Sequence, residues 1–172
     1  MNNEILFSET QRFKQWWLWI LLIAINALMI YGVLTQVIYG HTFGDKPASN
    51  TQLLIGTGIS LLITFFVLSF RLGTQIKNDG IYVRLFPLQF SYRFFPFNSL
   101  SKCYVRKYNP ISEYGGWGLR IGLFGNGRAY NISGDEGLQL VFIDNRKLLI
   151  GTQKAEELSE IIEKFFLQQS NK

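Results

Sequence analysis

Charged residues are scarce in this chain: they make up 17% of its 172 residues, whereas soluble domains average about 25%. Cysteine and histidine are nearly absent, since each occurs once. A single cysteine excludes a disulfide framework and a thiolate metal cluster. A single histidine leaves little material for histidine-dependent catalysis or metal binding. We therefore expect no catalytic residue, no metal site and no cofactor, and we expect that the protein is not an enzyme.

The missing charge reflects two apolar runs within the first 72 residues. Trp16–Ile38 contains no charged residue and would be about 34 Å long as a helix, enough for a hydrocarbon core of about 30 Å. A cleaved signal peptide would need a shorter apolar region and a small-residue cleavage site, which this run does not have. Residues 53–70 form the second run, which ends at Arg71. A buried core helix is the alternative there, but so short a chain could not surround it.

The two runs predict a transmembrane hairpin, and the lysines and arginines around it predict its orientation. Five of them flank the runs on the side of the chain termini, and only Lys46 lies in the connecting loop. By the positive-inside rule both termini are expected in the cytoplasm. The expected domains are a cytoplasmic N-terminal segment at 1–15, a hairpin at 16–72 with spans at about 16–38 and 53–70 and an outer loop at 39–52, and a cytoplasmic domain at 73–172.

One polar side chain lies deep in the first predicted span. Asn26 is ten residues, or about 15 Å, from the start of that span, where an amide needs a protein partner. Gly56 and Ser60 form a small-residue face on the second span at a similar depth. We therefore expect a span–span contact of Asn26 with Ser60 beside Gly56, and Thr64 is the next choice. The alternative is that Asn26 faces another copy of the protein.

From residue 74 onward the sequence changes to short alternating runs of apolar and aromatic residues separated by turn residues, which is typical of β-strands. About seven antiparallel strands are expected. The final segment instead has apolar residues at helical spacing, namely Leu158, Ile161, Ile162, Phe165 and Phe166. The predicted fold is a transmembrane α-helical hairpin plus a small all-β barrel of the pleckstrin-homology-like (PH-like) type, capped by a C-terminal α-helix. Strand periodicity alone does not separate this plan from other small barrels.

A resemblance to a known family points the same way. The residues that carry it are Tyr108, Pro110, Glu113-Tyr114-Gly115-Gly116-Trp117-Gly118, Arg120, Gly127, Ala129-Tyr130-Asn131, Gly134, Gly137, Gln139-Leu140 and Ile150-Gly151-Thr152-Gln153. On these residues the chain resembles a bacterial family of two-span membrane proteins with a cytoplasmic PH-like domain, a family of unknown function. The resemblance implies the fold and a multi-pass location in the bacterial inner membrane, and it implies no activity.

Two groups of residues are candidates for binding. The glycine-rich string and its neighbours form either a partner-binding surface or a braced loop, and this group comprises Tyr114, Trp117, Arg120, Tyr130 and Asn131. The second group could contact anionic lipid, because residues 71–128 carry nine basic and only two acidic residues. The residues in question are Arg71, Lys77, Arg84, Arg93, Lys102, Arg106 and Lys107. The alternative is that this charge only orients and solubilises the domain.

These features favour a non-catalytic interaction or scaffold module, anchored at the inner face of a bacterial membrane, that binds a protein partner or a second copy of itself. The alternative is a peripheral sensor of anionic lipid headgroups that uses the basic strands. A membrane enzyme is disfavoured because no catalytic constellation is evident. Nucleic acid is not expected as a partner, because a membrane tether restricts access to it.

Overall fold

The computed structural model describes residues 4–122 and 125–170, the last five of these by their backbone alone. The described residues form two compact units. One unit is helical and consists of residues 14–69, and the other consists of residues 4–13 together with the chain from residue 70 onward. The helical unit is therefore an insertion within the sequence of the β unit.

The helical unit contains two long apolar helices. Helix α1 (Trp16–Val33) continues through a wider helical turn at Leu34–Ile38, and α2 covers Asn50–Ser69. Both are long and apolar enough to cross a membrane, and nearly all of their side chains are exposed within the unit, unlike those of a core helix in a soluble protein. Ser49 and Gln52 cap the start of α2 reciprocally: the Gln52 amide donates to Ser49 Oγ and the Ser49 amide donates to Gln52 Oε1.

The first sheet of the β unit has four antiparallel strands in sequence order. They are β1 (Ile5–Gln11), β2 (Arg71–Lys77), β3 (Gly80–Phe86) and β4 (Arg93–Pro96). Strand β1 lies in a segment for which the sequence analysis predicted no strand. Its inward-facing residues are Phe7, Glu9 and Gln11, all buried. Because two of these three are polar, β1 lacks the apolar alternation by which strands are recognised.

The second sheet has five strands in the order β5-β8-β9-β7-β6. They are β5 (Leu100–Lys107), β6 (Gly118–Ile121), β7 (Arg128–Asn131), β8 (Glu136–Phe142) and β9 (Lys147–Gly151). Strand β7 runs parallel to β9, and the other neighbours are antiparallel. Gly127 allows this close parallel approach, because a Cβ there would collide with the Lys147 carbonyl oxygen.

The expected closed barrel of about seven antiparallel strands is wrong. Nine strands are found in the described part of the chain, and they form two separate sheets. The barrel does not close because β4 pairs only with β3 and β5 pairs only with β8. The β6–β7 hairpin adds two strands beyond β9, and its parallel pairing to β9 has no counterpart in a meander of sequential strands.

The C-terminal helix α4 (Ala155–Ser170) is present as expected and packs against the core of the β unit. Leu158 and Ile162 are fully buried, whereas Ile161 and Phe165 are only half-buried. Phe165 stacks on Phe97, with ring centroids 4.2 Å apart. Phe166 lies outside the described side chains. The helix therefore joins the core mainly through two of the five residues in its predicted stripe.

Candidate functional site

The glycine-rich string follows a short helix, α3 (Pro110–Tyr114), whose ends are both capped. Asn109 Oδ1 accepts hydrogen bonds from the backbone amides of Ile111 and Ser112, and Glu113 Oε1 accepts one from the Asn109 amide. Gly115 ends the helix in the left-handed conformation, with φ of 68°. The motif from Asn109 to Gly115 thus specifies one helical turn with a defined start and end.

Asn131 connects this string to the sheet. Its side chain is fully buried; Oδ1 accepts a hydrogen bond from the Gly118 amide at 3.0 Å, and Nδ2 donates to the Tyr108 hydroxyl at 3.1 Å. Burial raises the pKa of Tyr108 to about 12, so this hydroxyl keeps its proton at neutral pH. The amide therefore satisfies two buried polar groups of the loop.

The other loop candidates contribute to the same bracing. Trp117 Nε1 donates to the Gly134 carbonyl at 3.3 Å, and Arg120 Nε donates to the Trp117 carbonyl at 2.9 Å. Tyr114 and Tyr130 are each only 2% exposed. The structure thus brings all five residues of the first candidate group to one loop and its supporting strands. It leaves Tyr114, Tyr130 and Asn131 almost no surface that could contact a partner.

The seven basic candidates differ in their contacts and in their exposure. Arg106 is the most constrained, because it makes two hydrogen bonds to the Glu113 carboxylate, at 2.7 and 3.2 Å, and a third to Gln139 Oε1. This contact keeps the pKa of Glu113 below its ordinary value. Lys77 and Arg84 lie over aromatic rings, and Lys107 is 3.9 Å from Glu136. Exposed positions are occupied by Arg71, Arg93 and Lys102.

The described part of the β unit contains a cleft that the sequence analysis did not predict. Its volume is about 720 Å³, and it lies between β4 and the turns that join β6 to β7 and β8 to β9. Four of its lining residues are cationic, namely Arg93, Arg128, Arg146 and Lys147, and its lining includes no carboxylate. Its apolar lining includes Phe95, Ile121, Phe142 and Leu148. Of the four cations only Arg93 was a candidate from sequence, and Tyr130, which also lines the cleft, belonged to the other candidate group.

In the helical unit the structure brings together the residues expected to join the helices. Asn26 Oδ1 accepts a hydrogen bond from Ser60 Oγ at 3.1 Å, and Asn26 Nδ2 donates to Thr64 Oγ1 at 2.7 Å. Gly56 faces α1 closely, since a Cβ there would lie 3.0 Å from the end of the Met29 side chain. Both side chains named as partners from sequence therefore contact the amide.

The single histidine and the single cysteine lie in different units of the structure. His41 is exposed in the loop between α1 and α2, whereas Cys103 lies on β5. Burial raises the pKa of the Cys103 thiol to about 12, so it is protonated and unreactive at neutral pH. No group of three metal-ligating side chains occurs within the described ranges.

The architecture is a β unit of two sheets with a helical hairpin inserted in the chain between its first two strands. A family model described as a family of unknown function (DUF6141) matches residues 2–162, and the chain belongs to this family. The match includes strand β1 and the hairpin, so the insertion lies within the region that defines the family. No curated protein and no solved structure matches the chain.

Proposed function

We propose that this protein is a non-catalytic interaction module of the bacterial inner membrane, with both termini in the cytoplasm and a PH-like domain that binds a partner protein. The location rests on two apolar, lipid-compatible helices and on the lysines and arginines that flank them on the side of the termini.

The PH-like assignment is supported by the strand order once the β6–β7 hairpin is set aside. What remains is a meander of four antiparallel strands, β1 to β4, followed by a meander of three, namely β5, β8 and β9, and then helix α4. This is the PH-like order of seven strands and a C-terminal helix. The β6–β7 hairpin is then an insertion between the fifth and sixth strands of that order.

The cleft is the observation that carries the proposed binding role. Its volume of about 720 Å³ is within the usual range for ligand pockets, of roughly 300–1,000 Å³. Four cations surround apolar walls, and of these Arg146 is neutralised by Asp144 at 2.6 Å. The occupant with the matching chemistry is an acidic protein segment that carries an aromatic or aliphatic side chain. Carboxylates would contact Arg93 and Arg128 while the apolar side chain packs on Phe95 and Leu148.

Photo-crosslinking in intact cells tests this proposal. A benzophenone amino acid in place of Ile121, which lies in the cleft and is 78% exposed, should crosslink to a protein. The matched control is the same substitution at Ile111, which is 66% exposed on α3 outside the cleft lining. The double variant Arg93→Glu/Arg128→Glu should abolish the Ile121 product, whereas Lys102→Glu, at another exposed cation, should not.

Three outcomes of this experiment would contradict the proposal: no product from Ile121, equal products from both positions, or a product that is insensitive to the double charge reversal. A product with the mass of a dimer, confirmed with two differently tagged copies, would identify the partner as a second copy of this chain.

A further inference from the structure

The loop between β3 and β4, residues 87–92, exposes two large apolar side chains. Leu88 is 50% exposed and Phe90 is 77% exposed, although the loop itself is held by several contacts. The Gln89 amide donates to the Leu85 carbonyl at 2.8 Å, and Gln89 Nε2 donates to the Tyr130 hydroxyl at 2.9 Å. Because Gln89 anchors the loop to the β unit, the two apolar side chains on either side of it are held in an exposed position.

Tyr92 holds the other end of the same loop. Its hydroxyl packs against Gly73, where a Cβ would lie 2.8 Å away, and the Arg84 guanidinium lies over its ring at 4.6 Å. The Phe90 ring makes an edge contact with Phe86, at 5.7 Å between ring centroids. Exposing an apolar pair on a restrained loop has a cost in water, which indicates that another surface covers it.

The strand register places this loop at a particular end of the first sheet. Arg71, the first residue of β2, pairs with Phe86, the last residue of β3, and Leu72 pairs with Gln11, the last residue of β1. The loop therefore leaves the sheet at the end where the chain connects to both helices. Since Ser69 ends α2, the covalent chain allows at most about 7.6 Å between the Cα atoms of Ser69 and Arg71.

Charge at this end of the sheet is positive. Arg71 and Arg93 are exposed, and they border the loop in the strand register. Between residues 71 and 112 the only acidic residue is Asp79, which lies in the turn between β2 and β3 at the opposite end of the sheet. Exposed aromatic and aliphatic side chains bordered by arginines have the composition that binds the interface of an anionic bilayer.

We propose that the β3–β4 loop is a membrane-contacting surface: Leu88 and Phe90 insert into the interfacial region of the bilayer, and Arg71 and Arg93 contact anionic headgroups. The inference rests on the proposed membrane spans. It shares Arg93 with the cleft, whereas Leu88 and Phe90 lie outside the cleft lining. Such a contact would add a third point of attachment to the membrane beside the two covalent connections.

Depth-dependent fluorescence quenching of the full chain tests this inference. Single cysteines at Phe90→Cys or Leu88→Cys, in a Cys103→Ser background, would carry an environment-sensitive fluorophore in vesicles of phosphatidylcholine with or without phosphatidylglycerol. The matched control is Asn78→Cys at the opposite end of the sheet, and Leu62→Cys, 67% exposed on α2, reports on the span itself. Spin-labelled lipid should quench positions 90, 88 and 62 but not 78, and phosphatidylglycerol should increase the quenching at 90 and 88.

The other outcomes each contradict a defined part of the inference. Quenching at 62 with none at 90 and 88 would overturn the membrane contact and leave the span intact. No quenching at 62 would overturn the span and with it this inference. Quenching that does not depend on phosphatidylglycerol would overturn the role of the arginines. Protection of position 90 from aqueous iodide in native membranes but not in vesicles would show that a protein covers the loop.

Discussion

Asn131 illustrates how a single buried amide stabilises the glycine-rich string. Gly118 adopts φ of 116°, a conformation that is accessible mainly to glycine, and its amide donates to Asn131 Oδ1. On the other side of the carboxamide, Nδ2 donates to the Tyr108 hydroxyl. One side chain therefore holds β6, β7 and the start of α3 in a fixed relation.

Removal of this amide should destabilise the β unit. We expect Asn131→Ala to lower the free energy of unfolding by about 1–3 kcal/mol, because the buried Tyr108 hydroxyl and the partly buried Gly118 amide lose their partner. Chemical denaturation of the full chain in detergent measures the change. Asn98→Ala, at an exposed asparagine, is the control and should cost little. An equal cost for both variants would show that Asn131 does not brace the loop.

Cys103 should make the stability of the β unit fall at alkaline pH. Burial raises its folded-state pKa to about 12 from a reference value of 9.0, so the folded state favours the protonated thiol. This contribution to stability is fully present below the unfolded-state pKa and is lost as pH rises toward the folded one. We expect the thermal midpoint to fall as pH rises from about 9 toward about 12, and to fall less steeply in Cys103→Ala.

Tyr108 will leave a residual slope in that variant, because its pKa is also raised to about 12. The quantity to compare is therefore the slope of the thermal midpoint against pH in the unmodified protein and in Cys103→Ala. Identical slopes, or rapid alkylation of the thiol at neutral pH in the folded protein, would contradict the burial of Cys103.

At the scale of elements, β1 is held by polar contacts rather than by apolar alternation. The buried Glu9 carboxylate accepts hydrogen bonds from Thr152 Oγ1 at 2.7 Å and from the Gln153 amide at 2.8 Å. Gln11 Nε2 donates to the Gly151 carbonyl at 2.6 Å. Strand β1 is thus bound by Gly151-Thr152-Gln153, the segment that links β9 to α4 and that is distant from β1 in sequence.

We expect Glu9→Ala to destabilise the β unit by about 1–3 kcal/mol, since the buried Thr152 hydroxyl and the Gln153 backbone amide lose their acceptor. Glu4→Ala removes the same charge from an exposed position before β1 and is the matched control. Thermal unfolding of the full chain in detergent compares the two variants. If Glu9→Ala were as stable as Glu4→Ala, the N-terminal strand would not be an integral part of the unit.

The pairing of α1 with α2 depends on the polar contact at Asn26. With its two partners on α2, this amide sets the register of the helices, although such a hydrogen bond contributes only about 0.6 kcal/mol on average in membranes. Cysteines at Asn26→Cys and Ser60→Cys, in a Cys103→Ser background, should form a disulfide within one chain. Met29→Cys with Leu62→Cys, at a side chain that is 67% exposed, is a control pair that should not form a disulfide. A disulfide found only between chains would indicate that Asn26 joins copies of the protein.

At the scale of the whole molecule, both ends of the hairpin connect to the β unit. The orientation of the proposed spans therefore decides on which side of the membrane the β unit lies. Asp45 lies in the loop between the helices, and Asn78 lies in an exposed turn of the β unit. In a Cys103→Ser background, we expect a membrane-impermeant thiol reagent to label Asp45→Cys in intact cells. Asn78→Cys should be labelled only after the membrane is permeabilised. The reverse pattern would overturn the cytoplasmic assignment of both termini.

Local composition and periodicity predicted the parts of this architecture that depend on neighbouring residues. The two long apolar helices follow from uncharged apolar runs of sufficient length. The strands from β2 onward and the C-terminal helix follow from apolar residues at the period of 2 or 3.6. The contact of Asn26 with Ser60 could also be predicted, because residues at the same depth in two adjacent antiparallel helices lie next to each other.

The remaining features depend on residues that are distant in the chain. Strand β1 owes its place to Glu9 and Gln11, whose inward-facing polar side chains look like solvent-exposed ones until Gly151 and Thr152 supply their partners. The parallel pairing of β7 with β9 has no local signal, and neither has the absence of pairing between β4 and β5 that leaves two sheets instead of a barrel. The pairing of β7 with β9 brings the turn beside Arg128 close to the turn at Arg146. Both turns lie opposite β4, and the cleft is the space between them and that strand. Tertiary packing alone decides such features, since each requires surfaces that no single segment contains.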